Sequence, residues 1–279
     1  MKMHDTFFYG PRFWNLCRKD LLESWKVSLL RLFAVYGILA VIFLWNGLDT
    51  CKYSYLPDED IAVDPMWNLE YWVGGFWGLF IFGSVAASFA MERLKGKTGR
   101  IAWLMTPATV FEKFFLRWLL TSVCFVLAYW VVFHLADLTR VAVCTMVYPG
   151  KEFITPLPLF PQVAAESQIS EGIVGYSTLG ILVCLYCFLH SFFMLGSTVW
   201  PRNALVKTFA AGIAVCVVYI AVGDFFWGLA HDDGSHWDNG YVSEETGMCV
   251  VCILAAILAC VNWILAYFRF KESEIINRW

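Results

Sequence analysis

The chain has 279 residues, 59% of them hydrophobic and 18% aromatic, and its formal net charge is −3. Soluble globular proteins are about 45–50% apolar, so this composition excludes a water-soluble fold that buries its apolar side chains in one core. The slight negative charge argues against nucleic acid as a partner. We therefore expect an all-α polytopic membrane protein, whose apolar surface is covered in part by membrane lipid.

The first 31 residues carry the pattern of an amphipathic helix. Apolar side chains recur every three or four positions between Phe13 and Trp25. Charged side chains occupy the other faces: Arg12, Arg18, Lys19, Asp20 and Glu23. This pattern predicts an N-terminal interfacial helix on the cytoplasmic side of the membrane. The alternative is a simple helical start to the first span.

Six apolar segments are long enough to cross a bilayer, whose hydrocarbon core takes about 20 helical residues. They are predicted at about 32–48, 71–91, 118–136, 173–199, 208–229 and 248–267, within a single membrane domain that comprises residues 1–279. The longest loop is expected over about Asp137 to Gly172. Three prolines there oppose a long helix: Pro156, Pro158 and Pro161.

The positions of Lys and Arg predict the orientation of these spans. Of the 20 basic residues, all but Lys52, Arg140 and Lys151 fall before the first span, after the last, or in the loops that follow spans two and four. Basic residues are enriched on the cytoplasmic side of membrane proteins. The charges therefore predict that both termini are cytoplasmic, which agrees with an even number of spans.

The predicted cytoplasmic loop between spans two and three, residues 92–113, carries the most specific local signal. Thr109 and Glu112 have the spacing of a capping box, in which the hydroxyl and the carboxylate each accept a backbone N–H at the helix start. The sequence predicts a short helical element, then Pro107, then a helix that begins at Thr109 and continues into the third span. The alternative is a solvated basic loop that only fixes the topology.

The segment from Gly99 to Phe115, GRIAWLMTPATVFEKFF, resembles the loop after the second span in permease subunits of type-two ABC transporters. Members of that family often have a glycine, an apolar run, a proline, a small or hydroxyl residue and then Glu-Lys-Phe at this place. The order of an interfacial helix, six spans and two cytoplasmic ends is also similar. So is the tail from Phe268 to Lys271 with a final Trp279.

The resemblance implies a membrane subunit of an ATP-driven exporter in the bacterial cytoplasmic membrane, which forms a homodimer or pairs with a second permease. A separate ABC ATPase would bind ATP and magnesium; this chain would bind no cofactor, and its sequence has no G-x-x-x-x-G-K-[ST] phosphate loop. The loop after span two would be the coupling helix that contacts the ATPase. The residues expected to serve it are Glu92, Arg93, Lys95, Lys97, Arg100, Thr109, Glu112 and Lys113.

Three polar residues in or near the spans are candidates for a translocation path: His134, His190 and Asp224. Ionisable groups are costly in lipid and often functional there. The simpler interpretations are a histidine that is hydrogen-bonded to a neighbouring helix and an acid at the membrane interface.

The ten cysteines give no clear metal signal. The spacing C-x-x-C begins at Cys184 and again at Cys249, both within or at the edge of apolar spans, and no His or acid joins either pair at metal-site spacing. Packing is therefore the favoured interpretation. Cys51 and Cys144 fall in predicted outer loops, where an oxidising exterior would permit a disulfide. The sequence leaves open whether they are bridged.

Two other function classes stay open: a non-transporting membrane regulator or assembly protein, and an intramembrane enzyme. The sequence contains no H-E-x-x-H and no G-x-S-x-G motif, and no span carries paired carboxylates. These features disfavour the enzyme, so we expect no catalytic residue in this chain. The sequence does not indicate which substrate is transported.

Overall fold

The computed structural model describes residues 7–53, 66–92, 96–149, 154–160, 163–164, 174–200, 203–231 and 244–276. Within these ranges every regular element is a helix, apart from two strands of two residues. The helices are α1 (Gly10–Tyr53), α2 (Met66–Ser88), α3 (Lys97–Leu104), α4 (Val110–Leu119), α5 (Phe125–Val147), α6 (Tyr176–Val199), α7 (Ala204–His231) and α8 (Glu244–Ile276). A π-helical turn, Leu120–Cys124, joins α4 to α5 without a break.

The two strands form a minimal parallel ladder in the loop that precedes α6. Strand β1 (Val163–Ala164) pairs with β2 (Val174–Gly175), with Val163 opposite Val174 and Ala164 opposite Gly175. The ladder is too short to change the fold class. The predicted all-α class is confirmed in this respect, and residues 154–160, which contain two of the three prolines, are not helical.

Five helices within the described residues are long and apolar enough to cross a membrane. They comprise Gly10–Lys52, Glu70–Ser88, Val110–Val147, Leu179–Val199 and Cys249–Glu272. The chain is therefore a multi-pass helical membrane protein. The fifth predicted span, 208–229, lies within α7, in which Ala204–Val218 is an apolar stretch of described side chains. Six spans stay a prediction.

The N-terminal interfacial helix was predicted as a separate element, and here the structure differs. Helix α1 runs for 44 residues from Gly10 to Tyr53 and contains both the amphipathic segment and the first span. Pro11 stands at its first turn, where proline is tolerated, and no further proline or glycine occurs before Gly37. With no residue that breaks a helix between the two segments, they continue as one.

The third predicted span also continues further than expected. The α4–π–α5 helix ends at Val147 and not near Ala136, so the start of the predicted outer loop at Asp137 is wrong by 11 residues. Asp137 and Arg140 lie beyond the predicted end of this span. They are three residues apart on the helix and form an ion pair of 2.7 Å, so the helix accommodates both charges.

The chain forms two compact units, the first from residues 1–83 and 107–182 and the second from residues 84–106 and 183–279. In the first unit, α1 and the α4–α5 helix run parallel, because their residue numbers increase together along the contact. Arg12 pairs with Glu112 near the start, and Phe43 contacts Phe133 with ring centroids 5.3 Å apart. Further on, Gly47 lies against Arg140.

Helix α2 runs antiparallel to α5 in this unit. Tyr71 stacks on the guanidinium of Arg140 at 4.6 Å, and two turns later Gly78 lies against Tyr129. The Tyr129 hydroxyl donates a 2.7 Å hydrogen bond to the carbonyl of Gly75. The three helices therefore alternate in direction, as consecutive membrane crossings must.

The core of the first unit is aromatic and lies where these three helices meet. Trp72 and Phe133 have ring centroids 5.2 Å apart, and Trp72 and Trp130 5.6 Å. A Cβ at Gly75 would overlap the Phe133 ring, so glycine permits this close approach of α2 to α5.

The second unit repeats the alternation with α6, α7 and α8. Helices α6 and α7 are antiparallel, because Gly196 faces Thr208 while Phe192 faces Gly212. Helices α6 and α8 are parallel: Ser191 accepts a hydrogen bond of 3.2 Å from the side chain of Asn262, and the ring of His190 lies against that of Trp263.

Candidate functional site

Helix α3 lies in the predicted cytoplasmic loop and presents two exposed apolar side chains. Ile101 is 59% exposed and Met105 is 80% exposed, and their spacing of four residues places them on one face. Trp103, on the opposite face, is buried. A short helix with a buried aromatic anchor and an exposed apolar pair has the composition of a docking element.

Helix α4, whose N-cap is Thr109, begins with the predicted capping box. The Thr109 side chain accepts the Glu112 N–H at 3.2 Å, and the Glu112 carboxylate accepts the Thr109 N–H at 3.1 Å. The Thr109 hydroxyl also donates to the Phe7 carbonyl at 3.1 Å. This prediction from spacing alone is confirmed, and the cap ties the start of α4 to the chain segment that precedes α1.

Glu112 does more than cap its own helix. Its carboxylate also accepts the Tyr9 N–H at 2.9 Å and two N–H groups of Arg12, from Nε and Nη2, each at 2.8 Å. Four donors thus converge on a side chain that has no exposed surface. A buried carboxylate is tolerated because its charge is paired and its lone pairs are used. We call this set of contacts the Glu112 clamp.

Aromatic side chains pack around the Glu112 clamp and a second ion pair lies beyond it. Phe7 and Phe111 have ring centroids 4.5 Å apart, and Phe13 and Phe115 5.5 Å. Two turns further along α1, Asp20 pairs with Arg117 at 2.7 Å, and both side chains are largely buried. The start of α1 and the whole of α4 are therefore joined by two charge pairs within an apolar layer.

The predicted coupling residues divide into three groups. Arg93 and Lys95 lie outside the described residues. Lys97 and Arg100 lie on α3, where the backbone alone is described. Glu92 is half-buried, Thr109 serves the cap, and Glu112 and Lys113 are buried. Burial favours a positioning role for Glu112 and Lys113 over direct contact with a partner.

The three candidates for a translocation path lie on three different helices, α5, α6 and α7. His134 belongs to the first unit, and its Nε2 lies 3.2 Å from the Leu159 carbonyl. His190 belongs to the second unit, where it is buried between the rings of Tyr186 and Trp263. Asp224 lies on α7, with only its backbone described. Their role in transport stays a prediction.

Two features were missed in the interpretation of the sequence. Arg12 and Asp20 were read as charges on the polar faces of a surface helix, yet they pair with α4. Ile101 and Met105 were passed over in favour of the charged residues around them. Since exposed apolar residues in a basic loop are unusual, the spacing of Ile101 and Met105 could have indicated an apolar contact surface.

Among the residues that the structure describes, no group of three His, Cys, Asp or Glu side chains is placed to hold a metal ion. A comparison with the models of known protein families finds no match, and none is found among curated proteins or among solved structures. The resemblance to type-two ABC permeases therefore stays a prediction from the sequence.

Proposed function

We propose that this chain is the transmembrane subunit of an ATP-driven ABC exporter and works with a separate ATPase subunit. The observation that carries the proposal is the segment α3–α4. A short helix with exposed Ile101 and Met105 is followed directly by a capped helix that continues into a membrane-spanning segment. This is the arrangement expected of a permease element that docks into an ATPase, and it coincides with the residues that carry the family resemblance.

The proposed topology has six spans with both termini in the cytoplasm of a bacterial cell. Its support is the alternation of helix direction within each unit together with the bias of Lys and Arg toward the ends that would be cytoplasmic. In this orientation α3 and the Glu112 clamp face the cytoplasm, where an ATPase has access to them. The C-terminal end of α5 faces the exterior.

The Glu112 clamp supplies a mechanism for transmitting motion. ATP binding would draw the ATPase subunits together, and α3 would move with the subunit that holds it. Because α4 is continuous with α5 and is joined to α1 by the Arg12–Glu112 and Asp20–Arg117 pairs, a displacement of α4 reaches two spans at once. The permease would thereby switch between two arrangements of packed helices.

The test is reconstitution with the candidate ATPase. The chain and an ABC ATPase encoded beside it are co-expressed, purified and placed in lipid nanodiscs, and ATP hydrolysis is compared with that of the ATPase alone. We expect co-purification and stimulated hydrolysis. Association without stimulation would favour the regulator or assembly protein, and no association would overturn the proposal.

Variants of α3 then locate the docking element. Ile101→Asp should weaken ATPase binding about tenfold or more, since an apolar anchor buried at an interface contributes on the order of 1–2 kcal/mol and a carboxylate cannot replace it. Ile101→Val keeps the apolar contact and should bind as the unchanged protein does. Equal loss in both variants, or in neither, would assign docking to another segment.

A further inference from the structure

Two thiols meet where α1 and α5 end in the first unit. Cys51 is 3% exposed and Cys144 is 1% exposed, and both belong to a small buried cluster with Ile154. The two side chains pack together in this cluster, and their sulfurs are not bridged in the structure. They are 93 residues apart in sequence, so only the parallel packing of α1 and α5 brings them together.

The neighbouring residues fix this approach. Gly47 lies one turn before Cys51, and a Cβ there would be 2.9 Å from Arg140 Cγ and 3.1 Å from Cys144 Sγ. The two helices are therefore as close as glycine allows. Helices that approach this closely can satisfy the short Cα separation that a disulfide requires, about 4.4–6.8 Å.

Hydrogen bonds made by Asp137 and Arg140, which we call the clasp, cover the two cysteines. Asp137 accepts from Arg140 Nε at 2.8 Å and from the Leu157 N–H at 2.7 Å, and Arg140 donates to the Thr155 carbonyl at 3.0 Å. These bonds hold residues 154–157 on the helices, which places Ile154 against the thiols. A bond between the sulfurs would be shielded from reductants once the clasp has formed.

We propose that Cys51 and Cys144 form a disulfide that joins α1 to α5 at the exterior face of the cytoplasmic membrane. The proposal rests on the proposed topology, because only an extracytoplasmic position exposes the folding chain to oxidants. One thiolate attacks the disulfide of a thiol oxidant and forms a mixed disulfide. The second cysteine then displaces the oxidant, which leaves as a dithiol with the two electrons and two protons that the pair has lost.

Tryptic digestion offers a direct test, because cleavage after Arg31, Lys52, Arg140 and Lys151 isolates each cysteine. Peptide 32–52 contains only Cys51 and peptide 141–151 only Cys144. Membranes from the expressing cells are denatured with N-ethylmaleimide present, digested without reductant and examined by mass spectrometry. We expect most of the two peptides to be joined, with the mass of two hydrogens lost, and to separate after reduction.

Matched variants make the result specific. Cys51→Ser should abolish the linked peptide pair, whereas Cys216→Ser, at an exposed cysteine in α7, should leave it unchanged. Recovery of both wild-type peptides with alkylated cysteines would overturn the proposal.

Labelling of Met146→Cys shows whether free cysteines contradict only the disulfide or also the proposed topology. Met146 is 81% exposed near the end of α5. If a membrane-impermeant maleimide reaches it from outside and the two thiols are still free, the disulfide proposal alone is wrong. If the label reaches it only from the cytoplasm, the topology is wrong and the disulfide proposal falls with it.

Discussion

Glu112 and Arg12, one hundred residues apart in the chain, form a two-point ion pair in which both guanidinium-to-carboxylate distances are 2.8 Å. The pair fastens the start of α1 to the start of α4. Because the Tyr9 N–H bonds to the same carboxylate, the chain before α1 is held as well. One side chain thus orders the start of two membrane helices.

Replacing Glu112 by Gln should release the N-terminal segment. Gln keeps the shape but loses the charge, so Arg12 is left without its partner in a largely apolar layer. Breaking a buried pair costs about 3–5 kcal/mol, and the partial exposure of Arg12 places the expected loss at about 3 kcal/mol. Thermal unfolding in detergent, together with faster proteolysis near Arg12, measures it.

The control for this variant is Glu272→Gln. Glu272 pairs with Arg269 on α8, and both side chains are more than half exposed, so the change should leave the unfolding temperature unaltered. Equal stability of Glu112→Gln and Glu272→Gln would show that the Glu112 clamp does not hold the helices together.

Asp137→Asn tests the clasp near the C-terminal end of α5. The amide oxygen can accept one of the two hydrogen bonds, but the neutral side chain no longer balances Arg140, which is buried beside it. We expect lower thermal stability and faster labelling of a Thr155→Cys reporter, because residues 154–157 lose an anchor. An unchanged labelling rate would mean that the loop is held by its other contacts.

Two adjacent glycines in α2, Gly74 and Gly75, allow a matched pair of alanine substitutions. A Cβ at Gly75 would overlap the ring of Phe133, whereas a Cβ at Gly74 meets nothing within 4 Å. Since Phe133 is packed against Trp72 and Phe43, it cannot move aside. Gly75→Ala should therefore destabilise the protein by about 1–3 kcal/mol, while Gly74→Ala should not. Similar unfolding temperatures for the two variants would contradict the close packing of α2 on α5.

A second pair of glycines tests the packing of α6 on α7. Alanine at Gly196 would overlap the Thr208 side chain, whereas Gly180, also in α6, has open space around it. Gly196→Ala should lower stability by about 1–3 kcal/mol. Gly180→Ala should be neutral or raise it slightly, because alanine is the better helix former. Thr208→Ala, combined with Gly196→Ala, should recover part of the loss; no recovery would place the strain elsewhere.

Local signals were predictable from the sequence because local physics decides them. Thr109 and Glu112 form the predicted capping box, since a motif of four consecutive residues is enough to specify it. Helices occur at the predicted apolar segments for the same reason. The end of α5 was placed too early because a charge in the sequence does not reveal its partner, and Asp137 has Arg140 one turn away.

Contacts between distant residues could not be predicted. The order of residues does not indicate that Arg12 meets Glu112, and it leaves open whether Cys51 meets Cys144, because both contacts depend on α1 and α4–α5 packing in parallel. Helix α1 is also uninterrupted because no residue between the amphipathic segment and the span breaks a helix. The exposure of Ile101 and Met105 becomes visible only once α3 has a buried face.

The central claim is that α3 lies on the cytoplasmic side of the membrane and that α5 ends on the exterior side. Cysteine labelling tests this claim most directly. Met105 and Met146 are 80% and 81% exposed, so Met105→Cys and Met146→Cys are matched reporters. In membrane vesicles probed with a membrane-impermeant maleimide, Met105→Cys should react only when the cytoplasmic face is outward and Met146→Cys only when it is inward. Labelling of Met105→Cys from the exterior face would contradict the topology and with it the docking of an ATPase on α3.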